Sequence, residues 1–222
     1  MKYILHIDTA TDTGIVALSG NGVLLRSRTN DEPRNQAAAI NSMIKETLDE
    51  AEISSRELSA IAVCGGPGSY TGLRIGMATA KGFCYALNIP LIVDNRLTLL
   101  AQQTNRKYAS SYAQYISLLV AREKEYFISI YNNDMVCILP PQHVTEERLN
   151  ELINKKERTY IVTNTPNEII INLGINDLVI DNDIKTDLNS WIIDAFDKYN
   201  CNAFVNLSEA EPFYLKQVYT HK

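Results

Sequence analysis

Histidine is scarce in this sequence, and the few histidines do not have the spacing of metal ligands. The chain has three, His6, His143 and His221, and no two of them form the HxxH or HxxxH pair that is typical of a zinc site. His6 falls in an alternating strand pattern and His221 in the C-terminal tail. We therefore interpret all three as structural residues and predict no metal site.

Cysteine motifs are also missing. Cys64, Cys84, Cys137 and Cys201 are far apart, form no CxxC pair and stand among apolar residues. Thiols spaced in this way offer neither a zinc site nor a disulfide framework, and they are typical of a reducing compartment. The sequence predicts four buried, reduced cysteines without a nucleophilic role.

The sequence has neither a long apolar run nor an excess of positive charge. The segment MKYILHIDTATD meets an aspartate at its eighth residue, and no later window approaches the roughly 18 apolar residues of a membrane span. The formal net charge is -5 and the pI about 5.3, which does not favour a polyanion as a stand-alone partner. We expect a cytoplasmic protein that avoids membranes and whose role with nucleic acid, if any, is indirect.

Strand and helix patterns alternate along the chain. Residues 2–28 predict three antiparallel strands, because the β-rich segments KYILHID, TGIVALS and VLLRSR follow one another closely. Helical and short apolar segments then alternate, as parallel strands with helical crossovers require. This order predicts an α/β protein of the actin-like ATPase (ribonuclease-H-like) fold, with two small similar halves whose mixed sheets are flanked by helices. We predict the halves to be 1–109 and 110–222.

The hairpin between the first two strands, IDTATDTG at 7–14, is a candidate phosphate loop. Asp8 ends a strand, where its carboxylate could hold a water or a metal on a nucleotide, and Thr9 and Thr11 offer hydroxyl groups. A threonine-rich tight turn without a ligand explains the same residues. Both interpretations stay open at this point.

Glycines cluster in a second candidate loop, VCGGPGSYTGLRIG at 63–76. Gly65, Gly66 and Gly68 permit positive φ, so that successive backbone N–H groups can point into one concavity, and Ser69 stands where a helix begins. An anion such as the phosphate of ATP or ADP is the expected ligand of a loop of this kind.

The helix after this loop carries a ridge of small residues at every fourth position, Gly72, Gly76 and Ala80. Such a ridge lets another backbone approach closely. That backbone belongs either to a partner protein or to the chain's own sheet, and both alternatives remain open.

Three segments together resemble the bacterial TsaB (YeaZ) family: IDTAT near the amino terminus, GGPGSYTGLRIG in the middle and EPFYLKQ near the carboxyl terminus. The resemblance implies a scaffold or dimerisation subunit, a non-catalytic paralogue of the threonylcarbamoyl transferase TsaD. With TsaD and the ATPase TsaE, such proteins support transfer of a threonylcarbamoyl group to N6 of the adenosine 3′ of certain tRNA anticodons. A homodimer in isolation, and ATP or ADP at the interface with the partner, are further possibilities that the resemblance leaves open.

The resemblance also implies where the partner binds. In TsaB-like proteins the first two long helices form a bundle with the corresponding helices of TsaD. The residues that we assign to this contact are Ile40, Met43, Ile44, Gly72, Arg74, Gly76, Met77 and Ala80.

Two positions depart from the family patterns. Gln36 stands where the resemblance to TsaD implies a metal-binding histidine, so this chain lacks that ligand. Val120 stands where an aspartate is usual before Ala121, whereas Arg122 and Glu125 match.

An autonomous ATPase or kinase of the same fold is the alternative function, and it ranks second because no general base is identifiable. A peptidase ranks third, because neither a metal pair nor a nucleophile triad is visible.

Overall fold

The structure, a computed structural model, describes residues 1–32, 35–110 and 113–214. These residues fall into two compact units. Unit 1 comprises Met1–Arg96 together with Asp187–Tyr214, and unit 2 comprises Leu97–Thr186. Each unit contains one five-stranded mixed sheet with flanking helices, which confirms the predicted α/β fold class. No helix in the described part of the chain is both long enough and apolar enough to span a bilayer.

Unit 1 begins with the predicted run of three strands and continues with alternating helices and strands. Its elements are β1 (Tyr3–Asp8), β2 (Gly14–Gly20), β3 (Val23–Asn30), α1 (Gln36–Glu50), β4 (Leu58–Gly66), α2 (Tyr70–Leu87) and β5 (Leu91–Asn95). The strand order is β3-β2-β1-β4-β5. The first three strands pair antiparallel, and β4 and β5 join on the other side of β1 in parallel.

The core of unit 1 lies between this sheet and helices α1 and α2. Central strand residues such as Ile7 and Val63 are fully buried. On α1, Ile40, Ile44 and Leu48 recur at intervals of four residues and turn one apolar face to the sheet. Burial of this apolar face holds α1 against the sheet.

Unit 2 repeats the strand arrangement of unit 1. Its elements are α3 (Arg96–Tyr108, whose first residue belongs to unit 1), β6 (Gln114–Arg122), β7 (Glu125–Asn132), β8 (Cys137–Thr145), α4 (Glu146–Leu152), β9 (Thr159–Thr163), α5 (Asn167–Asn172) and β10 (Leu178–Asp181). The strand order is β10-β9-β6-β7-β8. Here too the first three strands pair antiparallel, and the last two pair parallel on the other side of the first.

The chain returns to unit 1 with its last helix, α6 (Leu188–Asn200). Trp191 and Ala195 of this helix are fully buried. The indole Nε1 of Trp191 donates a hydrogen bond to Oδ2 of the buried Asp94 at 2.7 Å, and Lys198 pairs with the other carboxylate oxygen. Unit 1 thus takes up α6, which finds its apolar and charged partners there, and unit 2 begins at Leu97, whereas the predicted halves were 1–109 and 110–222.

The cysteines only partly match the prediction. Cys64 and Cys84 are buried, and burial raises the pKa of Cys64 and raises that of Cys84 to about 12. The prediction is wrong for Cys137 and Cys201, which are exposed. Cys137 begins the edge strand β8, and Cys201 follows the end of α6.

Candidate functional site

The first candidate loop, residues 8–13, turns its polar groups toward the protein. Asp8 is fully buried, and its Oδ1 accepts a hydrogen bond from the Ala10 N–H at 2.9 Å. The hydroxyl of Thr9, also buried, donates to the carbonyl oxygen of Gly72 in α2 at 2.7 Å. The hydroxyl of Thr11 donates to the Thr13 carbonyl at 2.9 Å. Of the two interpretations, these contacts favour the tight turn.

The second candidate loop lies directly against the first. Gly66 ends β4 with φ +107°, a conformation that favours glycine. The N–H of Ser69 then donates to the Ala10 carbonyl at 2.8 Å, and the Ser69 hydroxyl caps α2 by accepting from the Gly72 N–H at 3.2 Å. The two loops that were predicted separately thus form one hydrogen-bonded junction at the start of α2.

Glycine is required where these loops meet. A Cβ atom added to Gly68 would overlap the Ala10 carbonyl, and one added to Gly72 would overlap the Thr9 carbonyl oxygen, both closer than 3.0 Å. A Cβ on Gly76 would overlap the Thr9 hydroxyl in the same way. The ridge of small residues therefore approaches the chain's own loop 8–13, which was one of the two open alternatives.

Most of the residues predicted for the partner contact lie inside unit 1. Arg74 is the exception, since it is exposed and its guanidinium lies over the Tyr70 ring at 5.1 Å. The other seven are buried and form the core beneath the two helices: Ile40, Met43, Ile44, Gly72, Gly76, Met77 and Ala80.

A different set of side chains faces outward from the same two helices. On α2, Ala78, Gly82 and Ala86 are exposed and form a second row of small residues at every fourth position. A Cβ on Gly82 would meet no atom of the described chain within 4 Å. We call this surface the helix-pair face and define it by Ala38, Asn41 and Lys45 of α1 with Ala78, Gly82 and Ala86 of α2, all of which are exposed. The signal for it was present in the sequence, because the second row has the same spacing as the ridge.

Two grooves border the helix-pair face. The first, of about 520 Å³, lies between α1 and α2, and its apolar lining comes from Ile44, Leu48, Ile53 and Phe83. The second, of about 300 Å³, lies between α2 and the C-terminal segment and is lined by residues that include Tyr70, Arg74, Lys81, Pro212 and Tyr214.

The C-terminal segment of unit 1 is held by one backbone and one side-chain hydrogen bond to the region around α2. The Phe213 N–H donates to the Gly65 carbonyl at 2.8 Å, and Lys81 Nζ donates to the Ala210 carbonyl at 3.0 Å. The EPFY part of the EPFYLKQ motif is thereby placed beside the glycine loop. The remaining part, Leu215–Gln217, lies outside the described residues, as does His221.

The motif residues of unit 2 lie at the hairpin between β6 and β7. Val120 is 39% exposed, and its N–H donates to Asn164 Oδ1 at 2.8 Å. Glu125 Oε2 lies 2.9 Å from His143 Nε2. Within the described residues, no group of three or more His, Cys, Asp or Glu side chains has the arrangement of a metal site.

Gln36, the residue that departs from the TsaD pattern, is 4% exposed. Its side-chain amide Nε2 donates to the carbonyl oxygens of Thr11 at 2.8 Å and of Asp12 at 3.3 Å. The Gln36 side chain thus holds the first loop.

Two units with the same strand order, each with three antiparallel strands followed by two parallel ones, define a protein of the actin-like ATPase class. The family model for TsaD, tRNA N6-adenosine threonylcarbamoyltransferase, matches residues 30–152. The chain is 30% identical over 158 residues to the tRNA threonylcarbamoyladenosine biosynthesis protein TsaB of Escherichia coli, a match that covers 67% of each chain. This protein belongs to the TsaB (YeaZ) family.

Further relatives agree with this assignment. The TsaB protein of Bacillus subtilis is 28% identical over 158 residues, which cover 70% of this chain and 67% of the relative. The solved structure of YeaZ from Pseudomonas aeruginosa superposes with a TM-score of 0.80 at 23% identity, covering 97% of this chain and all of that one. This likeness extends the agreement in fold over both units.

Proposed function

We propose that this chain acts in tRNA threonylcarbamoyladenosine biosynthesis as the non-catalytic partner of a TsaD-like transferase. Its relatives in Escherichia coli and Bacillus subtilis are named for this pathway, and the TsaD family model, which matches residues 30–152, covers part of each unit. The chain provides a surface on which the transferase is held in its working form. An autonomous ATPase or kinase is not favoured, because the polar groups of loop 8–13 bind the protein itself.

The observation that carries the proposal is the helix-pair face. Small exposed side chains at every fourth position let a second pair of helices approach closely, as in tight helix packing. The apolar groove beside them, lined by Ile44, Leu48 and Phe83, can accept side chains from those helices. A stable interface buries about 800 Å² on each partner around a core of this kind.

Several finer assignments belong to the same proposal. A TsaE-like ATPase joins the pair, tRNA is bound through the complex, and the chain forms a homodimer through the same face when the transferase is absent. The complex works in the cytoplasm, where its tRNA substrate is found.

The experiment compares two identical substitutions in one helix. Gly82→Glu places a carboxylate on the helix-pair face without a steric conflict, so we expect a folded protein that no longer comigrates with the TsaD-like partner in gel filtration. Gly76→Glu is the matched control, and it should fail to fold because its Cβ overlaps the Thr9 hydroxyl in the core. Circular dichroism distinguishes the two. A folded Gly82→Glu variant that binds the transferase with wild-type affinity would remove this face from the proposal.

A further inference from the structure

We propose that loop 8–13 is a brace that fixes the start of α1 against the start of α2, with Gln36 and Thr9 as its positioning residues. In this role the loop sets the geometry of the helix-pair face, and this part of the inference rests on the proposed function. The loop carries hydrogen bonds to both helices, and these bonds are made by different residues on each side.

On the α2 side, the brace consists of two hydrogen bonds that run in opposite directions. The Thr9 hydroxyl donates to the Gly72 carbonyl in the first turn of α2 at 2.7 Å, and the Ser69 N–H donates back to the Ala10 carbonyl at 2.8 Å. The missing side chains of Gly68 and Gly72 make this approach possible, because a Cβ at either position would overlap the loop backbone.

On the α1 side, one side chain makes the connection. Gln36 is the first residue of α1, and its amide group has two N–H donors. They reach the Thr11 and Asp12 carbonyls at 2.8 and 3.3 Å. Asn35, the N-cap residue, makes no side-chain bond to the helix within the described part of the chain, so the Gln36 amide is the side-chain contact that anchors this helix start.

The same contacts use several hydrogen-bond donors of loop 8–13 within the chain itself. A phosphate needs N–H and O–H donors that point outward. In this loop the Ala10 N–H donates to Asp8, and the hydroxyls of Thr9 and Thr11 donate to carbonyl groups of the chain. The carbonyl groups of Ala10, Thr11 and Asp12 accept from Ser69 and Gln36.

Because both helices are anchored to one short loop, a disturbance at either anchor should reach the other. Thr9→Val removes the hydroxyl and keeps the shape of the side chain, whereas Thr9→Ser keeps the hydroxyl. Gln36→Met removes the amide donors at similar length. Gln103→Met is the matched control, because Gln103 Nε2 also donates to a backbone carbonyl, that of Lys185 at 3.0 Å, but in unit 2.

The test measures amide hydrogen exchange in the full chain and its affinity for the TsaD-like partner. We expect Gln36→Met to raise exchange in the first turn of α2 as well as in α1, and Thr9→Val to raise it in α1 as well as in α2. Each variant should weaken partner binding about tenfold, because the free energy of one buried hydrogen bond corresponds to about that change in affinity. The fold-loss in affinity of the double variant should be smaller than the product of the fold-losses of the two single variants. Thr9→Ser and Gln103→Met should bind like the wild type.

Three results would overturn the brace. The first is increased exchange that stays within the substituted helix, and the second is partner affinity that is unchanged in Gln36→Met and Thr9→Val. The third is protection of residues 8–13 from exchange on addition of ATP to the isolated chain. If the wild-type chain does not bind a TsaD-like protein at all, the proposed function fails, while the exchange measurements still decide whether the loop couples the helices.

Discussion

At the scale of single residues, the carboxylate of Asp94 links β5 to the last helix of unit 1. It is fully buried at the end of β5, and both of its partners, Trp191 and Lys198, come from α6. A buried carboxylate is tolerated only when it is paired and hydrogen-bonded. This one residue therefore specifies where α6 attaches.

Replacing Asp94 should be far more costly than replacing a surface carboxylate. We expect Asp94→Ala to destabilise the protein by about 3–5 kcal/mol, because it leaves Lys198 and the Trp191 indole without their partner. Asp49→Ala is the control, since its ion pair with Lys45 is exposed, and should cost no more than about 0.5 kcal/mol. Urea unfolding followed by fluorescence of Trp191, the single tryptophan, measures both. If Asp94→Ala and Asp49→Ala lowered the free energy of unfolding equally, this account of how α6 is attached would be contradicted.

His6 lies in the core of unit 1 and gives the stability a defined pH dependence. Its ring is fully buried against Trp191, with centroids 5.0 Å apart, and Nε2 lies 2.9 Å from the Ser19 hydroxyl. Burial lowers the pKa of His6 from 6.5 to about 3. The folded state therefore contains the neutral ring over a pH range in which the unfolded chain already binds a proton.

From this shift we expect stability to fall as the pH drops from about 6.5 toward 3. The loss from His6 alone should be about 3 kcal/mol between pH 7 and pH 4, because each pKa unit corresponds to about 1.4 kcal/mol. Denaturant unfolding at a series of pH values measures it. The slope should be shallower in His6→Phe, and an equal acid slope in wild type and His6→Phe would exclude His6 as its source.

At the scale of elements, helix α2 presents two rows of small residues with opposite roles. The row that begins at Gly72 lies against loop 8–13, whereas the row that contains Gly82 is open. A sequence pattern shows that a helix has a small or apolar face, but it does not show whether the same chain or another one covers that face. For this reason most of the residues predicted for the partner contact turned out to be buried in unit 1.

The two rows predict opposite effects of adding one methyl group. Gly72→Ala should destabilise by about 1–3 kcal/mol, because the new Cβ would overlap the Thr9 carbonyl. Gly82→Ala should stabilise the isolated chain by about 0.5–1 kcal/mol, because alanine favours an open helix position over glycine. Thermal unfolding of the two variants tests this directly. Stabilisation by both substitutions would mean that Gly72 does not lie against the loop.

At the scale of the whole molecule, the features that follow from local patterns were the ones that could be predicted. The first three strands and helices α1 and α2 are visible in alternation and in spacing of three or four residues. The glycine loop with Gly66 and Ser69 is visible in its composition, but its junction with loop 8–13 is not. The return of α6 depends on Asp94, almost one hundred positions away, for which no local pattern exists. Cys137 was misjudged because its apolar neighbours Val136 and Ile138 are themselves 59% and 56% exposed.

The return of α6 also has a consequence for synthesis on the ribosome. Strands β1 to β5 leave the exit tunnel early, but α6, the helix that contacts β1, β3 and β5, follows only after all of unit 2. A nascent chain that has reached Thr186 therefore has all the strands of both sheets, yet Asp94 still lacks Trp191 and Lys198. Unit 1, which is translated first, is the unit that is finished last.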